Sequence, residues 1–535
     1  MRMNGNRSAV ANYFYLGGLA ILIASLPLSK FTMSISQMML GVAWLLMGDY
    51  RSRIRLFFKD RVALALTSIY LMHLLGLIYT TDFTYAIKDL RVKFPLLIIP
   101  FMFATFPKLK KEETRGLIYI FTAATTVATG ISFFRFITNS VEDYRDLSPF
   151  ISHIRFSLLV CLAAFLMYYQ AWNESKKTVK YGGFLWAIWL TYMLFVLQSA
   201  TSLIIFFATA FIIVFYLGLI RVKWVIQIVV LIAIMSPALF GIYYIVTTFS
   251  NFTRIPEYDI HQLEKYTPSG NLYRHDTTSY WIENGRHGGL YQCEAELKKE
   301  WNKRSHIQFD SLDASGQIIQ YTLIRYLTSL DLRKDSSGVA ALTNDDIKNI
   351  EDGLANHDYL TDNRLKTAIN KVALGYYQYI WKKDTRGSSL MQRIELWKTS
   401  IQLIKKNPWF GTGTGDLPND FAEQLRQNKS GLTGTGLRSH NQFLSITTAL
   451  GIIGLVWFLS ALVFIIVYRK RWLDFRVLIS YCIIVFSMFN EDTIETQAGV
   501  TFFCFFLSFF LILNADNPDA NLKNQANRNY SQLTP

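Results

Sequence analysis

Long apolar runs recur along the chain from its N-terminus onwards. They cover about 13–29, 33–48, 62–79, 93–106, 116–137, 153–171, 182–199, 201–219, 224–247, 442–468, 475–490 and 497–513. Each is read as a membrane-spanning helix. The run at 93–106 carries Pro95 and Pro100 and is expected to be broken or tilted. The first run lacks a small-residue cleavage site and is followed by further spans, so it reads as an uncleaved helix and not a signal peptide. The predicted fold is an all-α polytopic membrane protein of about twelve transmembrane helices, about nine of them in residues 1–247 and the others in 442–513.

Between these blocks lies a polar segment, residues 248–441, too long to be a linker. It starts irregularly, with Pro256, Pro268 and Gly270, and then turns helical: Glu294–Arg304, Ile318–Ser329, Asp345–Ala355 and Arg364–Lys383 all suit helices. Thr343 and Asp346 have capping-box spacing, with Asp in place of Glu. Asp310, Asp313 and Gly316 miss the spacing of a calcium loop and read as a turn. The segment is expected to form a small, mainly helical domain over the outer face of the bundle. The tail, residues 514–535, is rich in Asn and Asp and is expected to be disordered and cytoplasmic.

Composition supports the membrane reading: 51% of residues are hydrophobic and 17% charged, less charge than a soluble chain of this size carries. Charge also orients the bundle. One set of short loops holds the Arg51–Arg61 cluster, Lys108–Arg115, Lys176–Lys180, Arg221 with Lys223, and Arg469–Arg476. The alternate set holds far fewer: Lys30, Lys88, Arg91, Lys93 and Arg145. The positive-inside rule makes the first set and both termini cytoplasmic and puts 248–441 outside. The net charge of +15 is then largely a topological signal and an attraction to anionic membrane lipids; it calls for no nucleic acid. Cys161, Cys482 and Cys504 fall in apolar runs, which leaves Cys293 alone in the outer segment without an internal disulfide partner. No Cys or His pair has zinc-ligand spacing, and no Walker motif occurs. Gly411-Gly413-Gly415 lacks the offset of a nucleotide fingerprint and follows no strand. No metal and no cofactor are expected.

Candidate chemistry gathers between Met391 and Leu459. Arg393 and Trp397 lie four residues apart, on one face of a helix that should stop at Asn407-Pro408 with Lys405 and Lys406 in its last turn. Glycine-rich loops follow at 411–415 and 431–436, then Arg438-Ser439-His440-Asn441, then an apolar run from Phe443. Ser439 and Gln442 fit a capping box, which would make Ser439 the N-cap and His440 the first helical residue. The positive helix end would favour a neutral imidazole able to accept a proton. Free N–H groups and Arg438 would form an anion site. Arg438 and His440 equally suit an interfacial position facing lipid headgroups, and the local pattern leaves both readings open. Arg155, at the outer start of the sixth run, is either a site cation or a side chain snorkelling to headgroups. Glu491 and Asp492 read as a solvated loop, and Glu495 as a partner for an arginine or a site carboxylate.

Taken in order, four stretches resemble one family: Arg393-Ile394-Glu395-Leu396-Trp397, Asn407-Pro408-Trp409-Phe410-Gly411-Thr412-Gly413, His440-Asn441-Gln442-Phe443-Leu444 and Leu450-Gly451-Ile452-Ile453-Gly454-Leu455. Together they resemble the O-antigen ligase and polymerase superfamily. Any one alone would be weak. Glu495-Thr496-Gln497-Ala498-Gly499 is similar to what bacteroidete members carry, while the insert around 256–385 is longer than in compact members.

The resemblance implies a GT-C-type glycosyltransferase of a bacterial inner membrane, its site facing the periplasm. Its donor would be a glycan on an undecaprenyl-diphosphate carrier and, for a ligase, its acceptor a lipid A core sugar. It implies metal-free inverting transfer, with His440 beside the reacting groups and Arg393 and, more loosely, Arg155 on the diphosphate. Arg438 and Asn441 follow from their place at the junction. An O-antigen polymerase and a protein O-oligosaccharyltransferase remain open. A lipid-glycan transporter would carry inverted repeats and midplane charges; here there is no repeat and the charges lie at the outer rim.

Overall fold

The computed structural model describes residues 5–138, 144–221, 224–254, 258–276, 282–382, 385, 388–471 and 474–514. Pro256 and the tail beyond Asn514, expected to be irregular and disordered, lie outside the described residues. The chain divides into two compact units. One comprises Met1–Val230, Leu396–Gln427 and Gly436–Pro535; the other comprises Leu231–Glu395 and Asn428–Thr435.

Each apolar run is helical. Among the described residues, five helices are long and apolar enough to cross a membrane: Ala9–Leu28, Lys111–Thr138, His153–Trp172, Lys177–Leu197 and Gln442–Arg469. The pair Lys30–Met47 and Tyr50–Lys59, bent by 119°, makes a sixth if counted as one span. Arg61–Leu75, Ala200–Phe215, Phe475–Ser487 and Gln497–Leu513 are apolar but shorter. At about 1.5 Å rise per residue Arg61–Leu75, Phe475–Ser487 and Gln497–Leu513 fall short of the ~30 Å hydrocarbon core, whereas the whole helix Ala200–Arg221 has 22 residues and does not. The apolar runs are therefore helical, and among the described residues five of the helices, or six, are both long and apolar enough to span.

In the first unit, short side chains set the helix starts. Asp60 accepts from the N–H groups of Val62 and Ala63 at 3.1 and 3.2 Å, and Asp82 from Tyr85 at 2.9 Å. Phe83–Lys93 ends before the helix Pro95–Thr105, which Pro95 starts, while Pro100 lies inside that helix without ending it. The helix Gln497–Ser508 is buried at every position from Ala498 onwards. Its phenylalanines pack edge-on against neighbours, Phe505 on Phe103 and Phe506 on Phe121. A helix apolar on all sides belongs in the interior, and here it carries the loop 489–496 on its N-terminal end.

The second unit is helical where its polar stretch foretold: Glu294–Arg304, Ile319–Ser329, Asn344–Glu351 and Arg364–Lys382. Thr343 and Asp346 form the capping box, with bonds of 3.1 and 2.8 Å in the two directions. Asp313 accepts from the N–H groups of Ser315 and Gln317, which makes that stretch the expected turn. Leu297, Trp301, Phe309, Leu323, Leu327 and Ile350 build this unit's own core. The hairpin pairing Ile282–Glu283 with Arg286–His287 was not anticipated.

Candidate active site

The junction before Gln442–Arg469 differs from its sequence reading. Asn441 is the N-cap, its side-chain oxygen accepting from Leu444 N–H at 3.0 Å. Ser439 is not, because its hydroxyl is bonded to Ser445 at 2.7 Å and to Asp492 at 3.3 Å. Gln442 is the first helical residue, and His440 stands outside the helix in a left-handed conformation, φ 49°. A non-glycine residue there carries strain of about 1–3 kcal/mol. Asp492 holds the bend: its carboxylate accepts the His440 N–H at 3.1 Å. The helix dipole therefore acts on His440 from beyond the first turn and not from within it. Asn441 also donates to Phe489 O at 2.9 Å, so both ends of its amide are engaged within the protein.

The loop 489–496 is the second correction. Glu491 and Asp492 were expected in water, but each is only 6% exposed. They are buried because cations and donors surround them. Arg155, at the start of His153–Trp172, lies 3.8 Å from Glu491 and donates to Asp492 O at 3.4 Å and Ser152 Oγ at 3.2 Å. Its Nε is buried with no hydrogen-bond partner among the described residues. Arg155 thus faces the loop, and Asp492 touches both Arg155 and His440.

Glu495 completes the arrangement. Its carboxylate accepts from Lys93 at 2.7 Å, Arg438 at 3.1 Å and Gln442 at 3.1 Å. Arg438 also donates to the Tyr85 hydroxyl. Lys93 is shared with Asp89 at 2.6 and 2.7 Å. Burial alone would raise the pKa of Glu495; Lys93, Arg438 and His73 outweigh it and hold the group down at about 2. Sequence reasoning left Glu495 open and missed Asp89, Tyr85 and the pairing of Lys93. The available signal was the Asp89/Lys93 spacing of four, a charged pair abutting an apolar run.

Farther along the same helix, the glycine motifs acquire a physical meaning. Gly451 breaks the helix with φ 68° and ψ −172°. The stretch after Pro408 lies in the break: Thr412 N–H donates to Thr448 O, Gly413 N–H to Ala449 O, and Ile452 N–H to Pro408 O, at 2.8–2.9 Å. The groups that the break would orphan inside an apolar region are satisfied by loop backbone. Side chains cannot fit there, since a Cβ on Gly451 would stand 2.1 Å from Trp409 O and one on Gly411 2.5 Å from the Ala449 carbonyl carbon.

The helix Ser389–Lys406 forms and stops where predicted, with Lys405 and Lys406 in its last turn. Trp397, in the first unit, donates from its indole to Ser439 O at 2.8 Å. Arg393 belongs to the second unit. The structure therefore brings together Arg155, Arg438, His440, Asn441 and Glu495 through one acidic loop. No group of three or more His, Cys, Asp or Glu placed to hold a metal ion occurs among the described residues.

These features define a class: a multi-pass helical membrane protein with paired cations and a histidine converging at the start of one span. Residues 359–459 match the sequence model of the family described as O-antigen ligase, a similarity that supports the resemblance to the O-antigen ligase superfamily. Members of that family are glycosyltransferase-like enzymes of glycan assembly, acting on lipid-linked glycans in a membrane. No curated protein matches the sequence.

Proposed function

We propose that the protein is an O-antigen ligase of the bacterial inner membrane. It moves a glycan from an undecaprenyl-diphosphate carrier to a lipid A core sugar at the periplasmic face. The observation that carries the reading is the meeting of Arg155 and His440 on Asp492, with Arg438 held by Glu495 in the same loop. About twelve helices make the bundle, residues 248–441 lie in the periplasm, and the tail lies in the cytoplasm.

The reaction asks for two things. The acceptor hydroxyl must lose a proton as its oxygen bonds to the anomeric carbon, and the His440 imidazole takes it. The bond from that carbon to the diphosphate breaks on the opposite side, inverting the centre, and the diphosphate leaves with the electron pair. Its growing charge is met by guanidinium groups at the junction, Arg155 and Arg438. Fixed arginines do electrostatically what a divalent cation does in other transferases.

The test is the glycan phenotype of a deletion strain. Loss of all lipid-A-linked polymer, with carrier-linked polymer accumulating, is the expected result. Capping of lipid A by a single repeat would instead assign a polymerase. Unchanged lipid A glycan with loss of protein glycosylation would assign a protein O-oligosaccharyltransferase.

A further inference from the structure

Lys93 has no part in the chemistry above, yet it is the most deeply buried cation of the cluster, its side chain 2% exposed against 27% for Arg438. Two carboxylates converge on it, Asp89 and Glu495. Glu495 in turn holds Arg438. Two cations therefore balance two anions, and a buried charge survives only when it is paired. Asp89, Lys93 and Glu495 are all buried; Arg438 is the one member with an open side.

We propose that Lys93 is the positioning residue for Arg438: by engaging both buried carboxylates, it leaves Arg438 bound through Glu495 and Tyr85 and turned out to meet a diphosphate. This rests on the reading of Arg438 as a diphosphate-binding group. Without Lys93 two neighbouring carboxylates share one cation, and Arg438 is drawn inward to serve both. Removing the charge of Asp89 as well restores the balance, with Glu495 and Arg438 left as a simple pair. A lysine that merely packs would gain nothing from that second change.

The test measures binding of geranyl diphosphate to the full-length protein in detergent, with glycan transfer followed on the same preparations. Lys93→Met should weaken binding about tenfold or more, and adding Asp89→Asn should bring it back to within about threefold of wild type. Unchanged binding in Lys93→Met overturns the proposal, and so does a double variant that binds no better than the single one. If Lys93→Met fails to fold, the double variant decides: near-wild-type binding supports the proposal, and a loss of about tenfold overturns it. A wild type that does not bind the diphosphate overturns it too. A wild type that binds but transfers no glycan counts against the proposed function alone, and the Lys93 comparison still decides this proposal.

Discussion

Two regions of the first unit fix the helix Gln442–Arg469, and they do so by opposite means. At its start, charged side chains from remote parts of the chain hold the junction: Lys93 reaches Glu495 across 402 residues of sequence. Midway along, at Gly451, backbone meets backbone and side chains are excluded. The glycine clasp has one geometry and no spare capacity, so it can serve only structure. The charged junction keeps partly exposed guanidinium groups on Arg438 and Arg155, so it can also serve a ligand. A motif can therefore be specific because its backbone must fit, or because its charges must act.

Substitution separates the two. The largest effect belongs to the clasp. Gly451→Ala meets a positive φ and a carbonyl oxygen 2.1 Å away, and should cost about 4 kcal/mol or more, enough to remove most folded protein. Gly48→Ala is the control, because Gly48 has φ 63° but nothing within 4 Å of the added carbon. It should cost only about 1 kcal/mol. Equal yields of folded protein for the two variants by size-exclusion chromatography would refute the clasp.

At the junction, Glu495→Gln leaves Lys93 paired with Asp89 and Arg438 without its carboxylate. Stability should fall by about 3 kcal/mol in thermal unfolding, with transfer falling further than occupancy of the fold explains. Asn441→Ala removes a cap and should cost about 1 kcal/mol. Loss of the Asn441 bond to Phe489 O adds about 1 kcal/mol more, and a loss below about 0.5 kcal/mol in total would mean that neither contact holds the junction. The smallest effect is one of pH. The depressed Glu495 contributes stability that is complete above its ordinary pKa of 4.5 and is lost as pH falls towards about 2. Wild type should therefore lose stability across that window more steeply than Glu495→Gln, and identical acid profiles would remove Glu495 from the account.

The helices were legible because long apolar runs and prolines are local signals; Pro95 and the Thr343 capping box behaved as read. The cap at the junction was not, because Ser439 and Asn441 are both good caps and the choice was made by Asp492, 53 residues beyond Ser439. The acidic loop misled for the same reason. Glu491 and Asp492 in a short polar loop look solvated until Arg155 is known to face them, whereas Glu495 stays open between an arginine's partner and a site carboxylate until Lys93 and Arg438 are seen on it. The glycine spacing was recognised in order, but its purpose needed the break at Gly451.

The central claim is that glycan transfer takes place at the junction through His440. Its most direct test is the transfer rate of purified protein with a lipid-diphosphate-linked glycan donor, comparing wild type with His440→Ala and His440→Gln. Gln keeps a hydrogen-bonding group without basicity, so an inactive Ala variant beside a near-normal Gln variant would make His440 an orienting residue and not the base. The account predicts that His440→Ala loses about a hundred- to ten-thousand-fold in rate while unfolding at the wild-type temperature. A His440→Ala protein that transfers glycan at the wild-type rate would contradict it.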